Sequence, residues 1–582
     1  MHGFRLSIAA GFIALSGCAD SAIMTGQPEP IAHMPVQTAE FSWFEYSGAD
    51  AIFHNAPTSD SYQNPVLNGF YPDPSVTRVE DDFYMVNSTF GYFPGLPVFH
   101  SQDLVSWTQI GNVIDRPDMI DLDGVSLTGG GLFAPAIEHH DGTFYVINTC
   151  VRCGNNFVVT AKDPAGPWSD PIWLDYLPGI DPSLFFDDDG RVYIVHHGNP
   201  EHNTEPSHTG IYVVEIDPET FAPVSEDVLV VDGGLKQPWD TDWIEGPHLY
   251  KVDGEYILSA AGGGTGYYHQ QLAYKSASPL GPYTPNPDNP ILTQFGLPDS
   301  RPDPVTATGH ADLIEDKNGK WWAVFLGTRP YDFEAHNVDP GHFHTGRETF
   351  LLPVNWRDGW PVILEKGEVL PYKVKRPDLP AAPTQERPVT GNFTIRDTFQ
   401  TAALAPQWLF ARTPDRKWWG LMNGSLMLEP RAERLGDIEN PSFVGQRVHH
   451  MNAKITTEVI FAPKSEEEEA GLAAVQNDEH YFTFGIGQAP EAQTVVRVRE
   501  RRGPDAPVRG VVVAEREIDL QEGSPVQLRI TLEKSSIDFE YSLDGAVFET
   551  LLENADSTLL TSAVAGGFTG AIVGPYAEGE GQ

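Results

Sequence analysis

Apolar and polar positions alternate along most of this chain, and stretches with a helical period are scarce. Runs such as Phe83-Tyr84-Met85-Val86, Phe144-Tyr145-Val146-Ile147, Val192-Tyr193-Ile194-Val195, Tyr256-Ile257-Leu258 and Trp321-Trp322-Ala323-Val324 have the length and the aromatic or β-branched content of strands. Each follows a tight-turn signal: Glu80-Asp81-Asp82, Asp141-Gly142, Asp189-Gly190, Asp253-Gly254 or Asn318-Gly319. Ahead of each turn stands a related quartet: Asp73-Pro74-Ser75-Val76, Ala134-Pro135-Ala136-Ile137, Asp181-Pro182-Ser183-Leu184, Gly246-Pro247-His248-Leu249 and His310-Ala311-Asp312-Leu313. Quartet, turn and run together predict a β-hairpin. The unit returns roughly every 45 to 65 residues, the spacing of a propeller built from repeated sheets.

The pattern changes after residue 375. Arg376-Pro377-Asp378-Leu379-Pro380 and the prolines that follow predict an extended linker over 376–392. From 393 to 582 the alternation continues without the quartet, as in Val526-Gln527-Leu528-Arg529-Ile530-Thr531-Leu532, with a turn at Ser542-Leu543-Asp544-Gly545. That predicts a β-sandwich. The expected fold is therefore all-β: a five-bladed β-propeller over 63–375, then a β-sandwich. Residues 18–62 read as a tether and an N-terminal cap.

Residues 1–17 read as a signal peptide. Arg5 supplies the positive start, and Leu6 to Leu15 is apolar but too short to span a bilayer. Leu15-Ser16-Gly17-Cys18 is similar to a bacterial lipobox, which would make Cys18 a lipidated N-terminus and tether an exported protein to a membrane facing the periplasm or the cell surface. The other two cysteines, Cys150 and Cys153, form either a structural bridge or two free thiols. The formal net charge of -44 argues against a nucleic-acid partner and otherwise favours solubility. Glu466 to Glu469 reads as a solvated loop.

Equivalent positions of five blades face one axis. The first residue of each quartet is Asp73, Ala134, Asp181, Gly246 or His310, and Glu245 precedes the fourth. Carboxylates from three blades would converge on one pocket, which suits acid–base hydrolysis of a glycosidic bond. Any one Asp-Pro-Ser could be a simple turn whose carboxylate caps backbone N–H groups. The shared repeat position favours chemistry instead.

Together with Asn64-Pro65-Val66, Ser88-Thr89-Phe90, Phe99-His100-Ser101-Gln102-Asp103-Leu104-Val105-Ser106-Trp107 and Gly309-His310-Ala311-Asp312, these quartets resemble glycoside hydrolase family 43. Phe443 to His450 and Gly471-Leu472-Ala473-Ala474 resemble the sandwich of its β-xylosidase / α-L-arabinofuranosidase branch. The resemblance implies Asp73 as general base, Glu245 as general acid, and Asp181 as the carboxylate that tunes and orients that acid. It implies sugar contacts from Arg329 and walls from Phe90 and Phe133, the last standing where relatives often carry Trp. It implies no cofactor for the chemistry. His310 is either near a largely hydrated calcium ion or a hydrogen-bonded core histidine. The implied activity is an inverting, exo-acting β-1,4-xylosidase on xylo-oligosaccharides. Alternatives are an α-L-arabinofuranosidase acting on arabinose-decorated hemicellulose, a non-catalytic carbohydrate-binding propeller and a retaining sucrose-processing enzyme.

Overall fold

The computed structural model describes residues 37–580, apart from residues 204, 235–241, 299, 334–340 and 383–384. Residues 1–17, expected as a signal peptide, and Cys18 lie outside the described residues. Five antiparallel sheets follow one another from Ser75 to Val362. Their innermost strands are Ser75–Val79, Ala136–His140, Ser183–Phe186, Ile244–Val252 and Thr306–Glu315. These strands touch in a closed cycle, the fifth meeting the first. Every predicted hairpin forms: Val76 pairs with Met85, Ile137 with Val146, Leu184 with Ile194, Leu249 with Leu258 and Leu313 with Ala323.

The first and last blades each use their own consecutive strands, so side chains help to close the ring. The buried Asp312 carboxylate of the last blade accepts hydrogen bonds from Ser75 Oγ (2.8 Å) and Val76 N (2.8 Å) of the first, and from Tyr250 OH (2.6 Å). Such a carboxylate is tolerated in the core because its oxygens are satisfied. Ser61–Gln63 pairs with Lys373–Lys375 and ties the two ends of the propeller together. The segment after it is seated rather than free. Arg376 pairs with Asp103 at 2.6 Å, and Val389 O accepts from Asn68 N at 2.7 Å.

Among the described residues the sandwich consists of two eight-stranded sheets, one of them counting a strand lent by the propeller, and the N-terminal segment belongs to the other. Ala39–Gly48, expected as part of a cap, lies between Asn452–Ile460 on one side and Ser425–Leu428 with Thr394–Asp397 on the other. Its alternation explains why. Ala39, Phe41, Phe44 and Tyr46 are buried, and a bulge between Phe41 and Trp43 shifts the phase by one residue. Tyr92–Phe93 of the propeller pairs with Leu409–Ala411 at the end of the other sheet. One apolar core accordingly runs from Val98, Leu132 and Ile137 of the propeller to Trp408, Phe410 and Leu528 of the sandwich. Trp418 and Trp419 are buried in it.

Two local readings are settled here. Cys150 and Cys153 are joined by a disulfide. Glu469 is not part of a solvated loop: it is fully buried at the start of strand Glu469–Asn477, paired with Arg499 at 3.1 Å and hydrogen-bonded by Tyr576 at 2.5 Å.

Candidate active site

Asp73, Asp181, Gly246 and His310 share one backbone bend. Their φ angles are +52°, +52°, +55° and +50°. A left-handed residue is costly for any side chain but glycine. Its recurrence shows that these four of the five quartets share one structural position; Ala134, in the second, lacks the bend. The bend carries the chain into the innermost strand at one end of the axis. At the fourth copy the residue is glycine, and space as well as φ requires it: a Cβ on Gly246 would lie 2.6–2.8 Å from the His310 ring. Glu245 stands just before this bend.

The bends open into a cavity of about 370 Å³ lined by Asp73, Asp181, Glu245 and His310, with Phe90 and Phe133 as walls. The structure thus brings the three predicted acids together. Asp73 accepts from Ser88 Oγ at 2.5 Å and from both terminal nitrogens of Arg347, at 2.9 and 3.3 Å. His310 Nδ1 lies 3.5 Å from its Oδ1. Asp181 Oδ2 accepts from Gly246 N at 3.2 Å, which holds it beside Glu245 across two blades.

These surroundings divide the acids by proton affinity. Burial pushes the Asp73 carboxyl up, but Arg347, then His310 and the Ser88 hydrogen bond, outweigh it and hold the group below the usual carboxylate range. Glu245 is pushed up to about 7, chiefly by burial, with a hydrogen bond from Trp243 opposing and the Asp73 charge adding to the rise. Asp181 is raised well above its ordinary value by burial, then by Glu245 and Asp73. Two buried carboxyls repel each other's ionisation, so Asp181 and Glu245 titrate as a pair. The site therefore holds an ionised Asp73 opposite a Glu245 that keeps its proton up to about neutral pH.

Three pocket residues had no signal in the sequence. Arg347, just before strand Glu348–Arg357, lies beside the rings of Phe90 and Phe568, 5.7 Å from each centroid. Phe568 reaches the pocket from the sandwich and stacks on Phe90 at 5.8 Å. Trp243 lines the pocket two residues before Glu245 and packs on the buried His197 ring at 5.3 Å.

Arg329 requires a correction. It is buried away from this cavity, donating to Glu348 at 2.5 and 2.9 Å and to Asp50 at 3.2 Å. Asp50 in turn accepts from the backbone of Met451 and Asn452 in the sandwich, at 3.2 and 2.9 Å. Arg329 is thus a bridge between the two domains, and Arg347 is the arginine of the pocket.

The surroundings of His310 are poor in oxygen. Its carboxylate neighbours are Asp73, already engaged by Arg347 and Ser88, and Asp312, already engaged by Ser75, Val76 and Tyr250, while His248 and Arg347 also act on it. Calcium takes six to eight oxygen ligands. An ion there would be held mainly by water. Burial lowers the His310 imidazole to about 4, so it is neutral at working pH.

A five-bladed propeller that gathers acids of opposite proton affinity at one end of its axis is built as a glycoside hydrolase. The comparisons with known proteins give the family. Residues 62–361 match the model of glycosyl hydrolases family 43, and residues 396–582 match the beta xylosidase C-terminal concanavalin A-like domain. The chain belongs to glycosyl hydrolase family 43, whose chemistry needs no cofactor. It is 39% identical to a non-reducing end alpha-L-arabinofuranosidase of Bacteroides ovatus over 90% of this chain and 92% of that one. It is 37% identical to a xylosidase/arabinosidase of Butyrivibrio fibrisolvens, covering 89% and 96%. Among solved structures, a family 43 protein from a capybara gut metagenome superposes with a TM-score of 0.84 at 35% identity, covering 93% of this chain and all of that one.

Proposed function

We propose that this hydrolase is an inverting, exo-acting β-1,4-xylosidase that releases xylose from xylo-oligosaccharides. The observation that carries the reading is the division of roles in one pocket. Asp73 is kept ionised and can take a proton from water. Glu245 holds its proton up to about pH 7 and can deliver it to the leaving oxygen. Asp181, tied to Gly246 N, stands beside Glu245 and titrates with it as a pair. Phe568 closes one side of the pocket from the sandwich, which favours a chain end over a chain interior.

A second reading, α-L-arabinofuranosidase on arabinose-decorated hemicellulose, is favoured by the Bacteroides ovatus relative and by Phe133 on the pocket wall. Nitrophenyl β-xyloside and nitrophenyl α-L-arabinofuranoside, assayed side by side, separate the two by kcat/KM. Proton NMR of the first-formed sugar should show the anomer opposite to the substrate's. Retention would refute the inverting mechanism, and a higher kcat/KM on the arabinofuranoside would overturn the xylosidase assignment.

The reading includes export and anchoring through a lipidated Cys18, supported by Arg5, the apolar Leu6 to Leu15 stretch and the residues around the cysteine. Cys18→Ala should move the activity from the membrane fraction to the soluble one. Wild-type enzyme found only in the soluble fraction would contradict the anchor.

A further inference from the structure

A second group of chemically able side chains lies at the pocket end of the third blade, apart from the acids. Strand Val192–Gly198 runs back to the level of the pocket, where His197 N donates to Ile180 O at 3.1 Å. The connection from there to strand Gly210–Ile216 carries His202 and His208. Asp232 ends the neighbouring strand Val228–Asp232 and pairs with Gly210. His202 Nε2 lies 3.0 Å from one Asp232 oxygen, and His208 Nε2 lies 2.7 Å from the other. One ligand atom from each of the three residues falls within 4.8 Å of the others.

We propose that His202, His208 and Asp232 bind a divalent transition metal of the zinc type. Two imidazoles and one carboxylate suit such an ion and not calcium or magnesium, which prefer all-oxygen shells. Zinc at its usual bond lengths of 2.0–2.2 Å separates tetrahedral ligands by roughly 3.3 Å. The two nitrogen–oxygen contacts need only open slightly to admit it. Asp242 supplies a second, independent indication. Its Oδ2 faces the far nitrogen of His208, Nδ1, at 3.9 Å, and its Oδ1 is buried without a hydrogen-bond partner. The contact is longer than a hydrogen bond; closing it on metal binding would give the carboxylate–histidine pair that fixes a ligating ring and leaves the near nitrogen free for metal.

The site would act on the pocket lip and not on the bond being broken. Asp242 O accepts from Thr209 N at 3.4 Å and from Gly234 N at 3.2 Å. Thr209 Oγ1 also exchanges hydrogen bonds with Ile244, at 2.8 and 3.0 Å. An ion held by His202, His208 and Asp232 would therefore clamp the residues that lead into Trp243 and Glu245.

The test is calorimetric titration of zinc chloride into untagged, chelator-stripped full chain, with melting followed in parallel. Wild type should bind a tight ion with a rise in Tm, and calcium should not replace it. His202→Ala, at a side chain 60% exposed, and His208→Ala should each keep a folded circular dichroism spectrum and bind one ion fewer. Asp242→Asn should weaken that ion by about tenfold or more. Absence of tight zinc binding in wild type, or an unchanged count and affinity in both folded histidine variants, would overturn the site.

Discussion

Replacing Arg347 by Met tests the electrostatic design of the site most directly. Met keeps an unbranched, flexible stem, shorter than that of arginine, and removes the charge. Asp73 then loses two charge-assisted hydrogen bonds, at 2.9 and 3.3 Å, and is left with the Ser88 hydrogen bond and the weaker influence of His310 and His269. Removing one partner of a buried ion pair costs about 3–5 kcal/mol. If about 3 kcal/mol of this appears in the transition state, kcat/KM falls roughly a hundredfold. Burial, with its main opponent gone, raises the Asp73 pKa, so the acidic limb of the pH profile should move to higher pH; the basic limb should move up as well, because the Arg347 charge also lowers Glu245. Stability follows the same sign. A carboxyl held below its unfolded value stabilises the fold above that value and loses the contribution as pH falls through the depressed one. The variant should therefore melt lower than wild type at neutral pH, and the gap should narrow in acid. Arg347→Lys, which keeps the charge without the fork, should fall in between. The assay is kcat/KM on an aryl glycoside across pH, beside melting curves. A folded Arg347→Met enzyme with kcat/KM within threefold of wild type and an unmoved acidic limb would refute the pairing as the source of the base.

Glu245→Ala should lose far more activity on an unactivated oligosaccharide than on a nitrophenyl glycoside, whose leaving group needs little protonation, and its rate should no longer fall through about pH 7; equal losses on both substrates would remove Glu245 as the acid. Asp181→Asn removes the carboxyl that titrates jointly with Glu245, so the basic limb should reduce to a single ionisation near pH 7; a limb of unchanged shape in pH–rate measurements would count against the pairing. Arg329→Met breaks a buried bridge, worth about 3–5 kcal/mol, and should lower Tm while leaving KM unchanged; a raised KM at unchanged Tm would return Arg329 to the substrate.

The propeller was legible because its repeat imposes one rule on five segments: a quartet, a turn and an apolar run in fixed order. The acids were legible for the same reason, since Asp73 and Asp181 occupy the same left-handed position. The pocket arginine was not. Arg329 and Arg347 flank the same last-blade hairpin, and spacing alone does not say which of them turns towards the axis and which towards the sandwich. Phe568 was hidden differently: it reaches the pocket from the other domain, and no local pattern marks such a contact. For the N-terminal strand a signal was present, because Phe41, Phe44 and Tyr46 are spaced as one buried face once the bulge at Trp43 is allowed for. Glu469 was misread because its partners Arg499 and Tyr576 lie on other strands.

The placement of Ala39–Gly48 inside the C-terminal sheet limits how the protein can be divided. The strand leaves the ribosome before the propeller, yet its neighbours Asn452–Ile460 and Thr394–Asp397 are made only after the propeller is complete. A gene cut at residue 375 would leave Phe41, Phe44 and Tyr46 with nothing to cover them, and would strip Tyr92–Phe93 of its pairing and the pocket of Phe568. The two domains consequently are not exchangeable cassettes. A chimera that borrows a sandwich from a relative must take its first strand from the same source.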